Sequence, residues 1–263
     1  MFTQSQSAKI LSKNVPNFPQ QLLVLGTGWN ELLTDANIET EIDYQQLFGV
    51  KATVPGHQGK LVIATLNQTR VAAMVGRLHM YEGFSAHQAT LPIRVFAEAG
   101  VSQLLVTAAS GALNPKYKVG DFVILNDLLT LFLAIDSPLR GPQFLDTSQL
   151  FDVKMRQILI TIAAKTHLSF QQGCYAYYHG PNFETPTDKI ALRTLGADVV
   201  GMSTVPEVLQ ARWLGIKVAA VALVTNLAFV KHDHKEVLME SEKAADKMVK
   251  LLGKYVKSSA ELK

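Results

Sequence analysis

Several absences narrow this chain before any motif is read. Its 263 residues contain one cysteine, Cys174, which excludes an intramolecular disulfide and fits a reducing compartment. Charged residues are scarce, at 18% against 48% hydrophobic, and no run of five or more like charges exists to serve as a nucleic-acid arm. The net charge of +3 is scattered over many segments, so it points to no macromolecular partner. The longest strongly apolar stretches, Leu128 to Ile135 and Val218 to Val224, fall far short of the roughly 20 residues that span a bilayer. The N-terminus lacks the charged and apolar regions of a secretory signal. Met1 to Pro19 is therefore expected to be a poorly ordered leader, and the protein is expected to be cytoplasmic. Internal repeats, low-complexity tracts and linkers are also missing, and a chain of this length and apolar content is expected to form one domain.

Periodicity supplies the architecture. Short apolar runs at Gln21 to Leu25, Leu61 to Leu66, Arg70 to Val75, Gln103 to Thr107, Phe122 to Leu125, Cys174 to Tyr178 and Val218 to Thr225 predict strands. Longer patterns at Ser85 to Ala99, Val153 to Lys165, Asp188 to Leu195, Pro206 to Leu214 and Lys235 to Tyr255 predict helices. The alternation argues for an α/β three-layer sandwich whose central mixed, largely parallel sheet is flanked by helices. Asp136 to Phe151, with two prolines and a glycine, is the expected long surface loop. Several strands end in small or hydroxyl residues, at Gly26-Thr27-Gly28, Ala108-Ala109-Ser110-Gly111 and Thr225-Asn226. In open α/β sheets the ligand crevice lies at such carboxyl ends.

Chemistry concentrates in four separated segments. Gly26-Thr27-Gly28 fails as a dinucleotide fingerprint because Glu31 occupies the position of the third small residue. It is either a plain strand-to-helix turn or an anion cradle built from amides at a helix start. Gly76-Arg77-Leu78-His79-Met80-Tyr81-Glu82-Gly83 puts Arg77 and His79 two apart, on one face of an extended segment. That pair could bind phosphate, or it could be a solvated arginine beside a structural histidine. Gly180-Pro181-Asn182-Phe183-Glu184-Thr185 offers a ring to stack on a flat heterocycle and a carboxylate to accept its N–H. Met202-Ser203-Thr204-Val205-Pro206-Glu207 adds hydroxyls at a helix start. His232-Asp233-His234 invites a metal reading, but no further ligand cluster accompanies it; neither a metal nor a cofactor is expected.

Together these motifs closely resemble the purine nucleoside phosphorylases of the homotrimeric type, from about Gln21 to the C-terminal helix. The resemblance implies phosphate ligands at Thr27, Arg77, His79, Ser203 and the Ala109 amide, with His57 on a nearby loop. It implies that Tyr81 lies against the ribose and that Glu82 links sugar and phosphate. Phe183, Glu184, Val200, Met202 and Asn226 correspond to the base pocket, His234 to the contact with the 5′-hydroxyl, and Phe144 to a ring contributed by a neighbouring subunit. In that family Asn226 marks 6-oxopurine enzymes and His234 marks nucleosides with a free 5′-hydroxyl. Ala108 departs from the usual asparagine, which removes one side-chain amide.

The resemblance thus implies a pentosyltransferase of purine salvage, splitting inosine or guanosine with phosphate as co-substrate. Asn226, Glu184 and His79 would carry the catalysis, with neutral His57 and His79 making the rate sensitive near neutral pH. The alternatives are a xanthosine-accepting or methylthioadenosine phosphorylase and, from another class, a catalytically silent purine-binding protein.

Overall fold

The computed structural model describes residues 1–54, 57–131, 136–230 and 234–262, the side chain of His234 excepted. Nine strands are present among them: β1 (Gln21–Leu25), β2 (Asn37–Asp43), β3 (Lys60–Leu66), β4 (Thr69–Val75), β5 (Gln103–Ala112), β6 (Phe122–Leu129), β7 (Phe170–Tyr177), β8 (Val199–Gly201) and β9 (Lys217–Leu227). The helices are α1 (Gln4–Asn14), α2 (Tyr44–Phe48), α3 (Ala86–Ala89), α4 (Leu91–Glu98), α5 (Val153–Lys165), α6 (Pro186–Thr194), α7 (Val205–Trp213) and α8 (His234–Ser259).

The strands join one mixed sheet in the order β2-β3-β4-β1-β5-β8-β7-β6-β9. Because β9 also pairs in parallel with β5 along ten residues, the second half of the sheet closes on itself. Strand alternation divides the core into two layers. Val218, Ala220, Ala222 and Val224 of β9 face one cluster, whereas Ala219, Val221 and Leu223 face the other. α4 and α7 cover the first layer. α8 covers the second with Ala244, Met248, Leu251, Leu252, Tyr255 and Val256, an i, i+4, i+7, i+8 stripe. No helix of the described residues is long and apolar enough to cross a membrane.

The N-terminal segment differs from the expected poorly ordered leader. Residues 4–14 form a helix because Thr3 and Gln6 make a reciprocal capping box. Leu11 and Val15 are buried in the core, and Phe18 stacks on Phe96 with ring centroids 5.2 Å apart. The polar composition of this stretch hid its single apolar stripe. The expected single helix Ser85 to Ala99 is broken at Thr90, where Pro92 in the first turn of α4 has no N–H to continue the hydrogen-bond ladder. β2 and β8 were not anticipated either. β2 is largely exposed, so its residues carry little alternation, and β8 is only three residues long. The strand expected at Gln103 to Thr107 runs on to Ala112, carrying Ala108 to Gly111 inside the sheet.

If residues 1–19 belong to the fold, Leu11→Ala should cost about 2–5 kcal/mol of unfolding free energy, the usual range for emptying a buried leucine site. Urea denaturation checks this, and a loss below about 0.5 kcal/mol would return the segment to a loose leader.

Candidate active site

The carboxyl ends of β1, β4, β5, β8 and β9 surround a cavity of about 450 Å³, within the range of small-molecule sites. Thr27, His57, Arg77, His79, Tyr81, Glu82, Ala109, Phe183, Glu184, Val200, Met202, Ser203 and Asn226 all line it. Thirteen expected residues from distant segments therefore meet at one place. Phe144 does not join them: its side chain is 99% exposed on the loop after residue 136. It is thus not packed on its own chain. His234 opens α8, and its side chain lies outside the described residues.

One end of the cavity is organised by Glu82. Its Oε2 accepts the Thr53 amide at 2.8 Å and the Thr53 hydroxyl at 2.6 Å. Its Oε1 accepts the His79 amide at 2.9 Å and lies 3.0 Å from Nδ1 of the same imidazole. The carboxylate expected to link sugar and phosphate therefore makes four protein contacts, two of them to His79. Burial pushes Glu82 upward, but the bonds from His79 and Thr53 outweigh it and hold the carboxyl down to about 2. An ionised Glu82 requires the His79 proton on Nδ1, which leaves Nε2 bare. His57 has the opposite tautomer, because its Nδ1 accepts the Arg77 amide at 3.3 Å and its proton therefore sits on Nε2. The two imidazoles stack at 5.0 Å, and His79 stacks in turn on Tyr81 at 4.6 Å.

Burial, then the proximity of His79 and Arg77, lowers the His57 pKa to about 3. His79 is also held below its usual value, chiefly by burial. His57 is thus held neutral well below neutral pH, and burial shifts His79 in the same direction.

Arg77 also differs from expectation. Its guanidinium is 2% exposed, with Nη1 3.1 Å from Glu207 Oε2 and Nη2 donating to the Thr107 carbonyl. Both terminal nitrogens already have protein partners, so the expected two-pronged grip on phosphate is not preformed. Nη1 also donates to the Thr204 hydroxyl at 3.5 Å, and Nη2 carries a second hydrogen beyond the one given to Thr107. Among the described residues Arg77 is the only lysine or arginine lining the cavity.

The turn after β1 is tighter than the expected helix start. A five-residue 3₁₀ segment, Trp29–Leu33, follows Gly28, and the Trp29 amide is spent on the Gly26 carbonyl. Gly28 has φ +81°, and a Cβ there would stand 2.3 Å from the Ser241 Cβ of α8. Only glycine lets α8 close down on the turn that carries Thr27.

At the other end, Asn226 is placed by an irregularity in the pairing of β5 with β9. Register shifts between Ser110 and Gly111, so that Gly111 faces Asn226. A Cβ on Gly111 would lie 3.0 Å from Asn226 Nδ2. Asn226 is 4% exposed, and its Oδ1 accepts the Thr225 hydroxyl at 3.1 Å. Ser203 is oriented by its amide, which donates to the buried Tyr175 hydroxyl at 3.3 Å. Sequence reasoning passed over Thr53 and Val237, the latter from α8, which line the cavity, and Tyr175, which holds the Ser203 amide. Nothing in their residue type singles them out, and only the long-range pairing brings them in.

The comparisons with known proteins converge on one family. The phosphorylase superfamily profile matches residues 22–260. A purine nucleoside phosphorylase of Bos taurus is 38% identical over 92% of this chain and 90% of its own length. The crystal structure of isoform 2 of the Schistosoma mansoni purine nucleoside phosphorylase, in complex with cytosine and ribose-1-phosphate, superposes with a TM-score of 0.89. It is 35% identical, and the match covers 99% of this chain and 96% of that one. This chain belongs to the purine nucleoside phosphorylase family. A second Schistosoma mansoni purine nucleoside phosphorylase structure, in complex with adenosine, superposes at a TM-score of 0.88 with 34% identity, covering 99% of this chain and 97% of that one. As a purine nucleoside phosphorylase the chain is a pentosyltransferase that acts on a purine nucleoside and phosphate.

The neutral His57 of this phosphorylase sets an acid limit on its stability. Below pH 6.5 the unfolded chain protonates His57, while the folded chain resists until about pH 3. The contribution is therefore full above 6.5 and is lost as pH falls through that window, at up to ~1.4 kcal/mol per pH unit. Between pH 7 and 4 the wild type should lose about 1–3 kcal/mol more than His57→Gln in urea unfolding. Equal losses would mean that His57 is not held neutral by the fold.

Proposed function

We propose that the enzyme cleaves 6-oxopurine nucleosides, inosine and guanosine first, by attack of phosphate on C1′. The observation that supports this reading is that Glu184 and Asn226 line one cavity, both buried. A carboxylate accepts the N1 hydrogen that a 6-oxopurine has and adenine lacks. The Asn226 amide can donate to O6 while meeting N7. Phe183 stacks on the base, and Val200 and Met202 form the apolar floor beneath base and sugar. Tyr81 lies against the ribose, and His234 is assigned to the 5′-hydroxyl.

Phosphate occupies the end lined by Thr27, His57, Arg77, His79, Ala109 and Ser203. With Nδ1–H held by Glu82, the bare Nε2 of His79 accepts a hydrogen bond from a protonated phosphate oxygen, and the neutral imidazole orients the phosphate for attack. His57 donates from Nε2. One phosphate oxygen then forms a bond to C1′ as the C1′–N9 bond breaks, and the bonding pair goes to the purine. Negative charge collects toward N7 and O6, where the Asn226 amide stabilises it, and ribose 1-phosphate is the other product. Positioning and fixed dipoles supply the acceleration.

The exposed Phe144 covers the ribose of a neighbouring subunit in a closed ring of three. A head-to-tail contact of this kind closes naturally into a cyclic assembly. If so, Phe144→Ala should weaken nucleoside binding by about tenfold to a hundredfold, in proportion to one buried ring. Phosphate binding should be nearly unchanged. An indifferent variant, or a fully active monomer in sedimentation, would remove the shared site.

Phosphate-dependent release of free base from inosine, guanosine, xanthosine, adenosine and methylthioadenosine tests the substrate assignment. Asn226→Asp should depress inosine kcat/KM by about 10²–10³, the usual loss for one stabilising donor, and shift preference toward adenosine. The binding of adenosine by the schistosomal relative makes that arm informative. An unchanged inosine-to-adenosine ratio would overturn the base assignment. No base release from any of the five would leave a silent purine binder.

A further inference from the structure

Glu207 lies behind the phosphate end and does not line the cavity. It is the fourth residue of a capping box on α7: its Oε2 accepts the Thr204 amide at 2.9 Å. On that basis alone it would be an ordinary helix cap. The same oxygen, however, lies 3.1 Å from Nη1 of Arg77, the cavity's one described guanidinium. Both side chains are deeply buried, at 2% exposure for Arg77 and 7% for Glu207. The residue capped is itself unusual. Thr204 has φ +70°, a conformation that side-chain-bearing residues rarely adopt, and its hydroxyl lies 3.4 Å from that of Ser203. One carboxylate oxygen thus sets the charge of the phosphate's cation and fixes the turn that presents Ser203.

We infer that Glu207 is a positioning residue that sets the enzyme's affinity for phosphate by acting as the resting counter-ion of Arg77. In the empty site a buried guanidinium without an anion would be strongly destabilising, and Glu207 supplies that anion. When phosphate arrives it competes for a cation that is already half neutralised, so binding is weaker and more readily reversed than to a free arginine. An enzyme whose product, ribose 1-phosphate, carries the same phosphate group gains release from that compromise. The inference rests on the assignment of Arg77 to phosphate made above.

Glu207→Gln separates the two roles, because glutamine is as good a capping-box residue as glutamate and still accepts the Thr204 amide. If Glu207 only caps α7, the variant is silent. If it is the counter-ion, the apparent KM for phosphate should fall by about tenfold while that for inosine stays within about twofold. kcat should fall as ribose 1-phosphate leaves more slowly. Thermal unfolding gives a second readout: without phosphate the variant should melt below the wild type, and added phosphate should raise its melting temperature more than that of the wild type, since phosphate replaces the missing anion.

A phosphate KM unchanged or raised, or a melting temperature lowered equally at all phosphate concentrations, would overturn the inference. Should the variant fold only in phosphate, that rescue is itself the expected result. Failure to fold with or without phosphate, while Glu207→Asp folds and binds phosphate as the wild type does, would assign Glu207 to the fold alone. Calorimetric titration of inorganic phosphate keeps this test separate from the assignment of the reaction. A wild type that binds phosphate but releases no base would defeat the proposed function and leave the role of Glu207 measurable.

Discussion

The parallel pairing of β5 with β9 is the constraint on which the rest of the molecule depends. It spans ten residues and joins the first half of the sheet to the half that closes on itself. Its carboxyl end carries Ala108 to Gly111 from one strand and Thr225-Asn226 from the other. These strands read as nearly unbroken small and branched apolar residues because both faces are buried, which is what a parallel ladder between two helical layers requires. The one irregularity in the pairing falls between Ser110 and Gly111. That shift brings Gly111 opposite Asn226, so the placement of the Asn226 side chain in the cavity depends on a missing side chain as much as on a present one.

Electrostatically the cavity is built from few formal charges held in reserve. Two imidazoles are kept neutral by burial, and a carboxylate is kept ionised by its donors. Opposite tautomers in a stacked pair give neighbouring atoms opposite hydrogen-bonding characters, a bare nitrogen on His79 and an N–H on His57. Such a surface suits a co-substrate that is both proton donor and acceptor. The fixed orientation means that little has to reorganise as charge moves during the reaction.

How much of this was legible in the sequence follows from where each signal resides. The motif residues are contiguous in the chain and chemically distinctive, and the cavity collects them from Thr27 to Asn226. Strand and helix periodicity located the β1, β3, β4 and β9 runs because they are buried on both faces or one. α1 escaped because its helix rests on a capping box and one apolar stripe amid polar residues. Partnership was the illegible part. Arg77 and Glu207 are 130 residues apart, and nothing in either neighbourhood says that the arginine is already engaged. Thr53 likewise gains its importance only from Glu82, 29 residues on. The depth of burial that lowers the His57 pKa is illegible for the same reason, since it is a tertiary property.

The contact between Gly28 and Ser241 has a consequence for how such an enzyme can vary. The turn that carries Thr27 has no room for a side chain at position 28 against α8, and a helix moves as a rigid rod over many residues. A bulkier residue at position 241 would therefore press on the turn beside Thr27, which lines the cavity. The packing of a helix that, read along the chain, belongs to the opposite end of the protein is in this way coupled to one wall of the cavity.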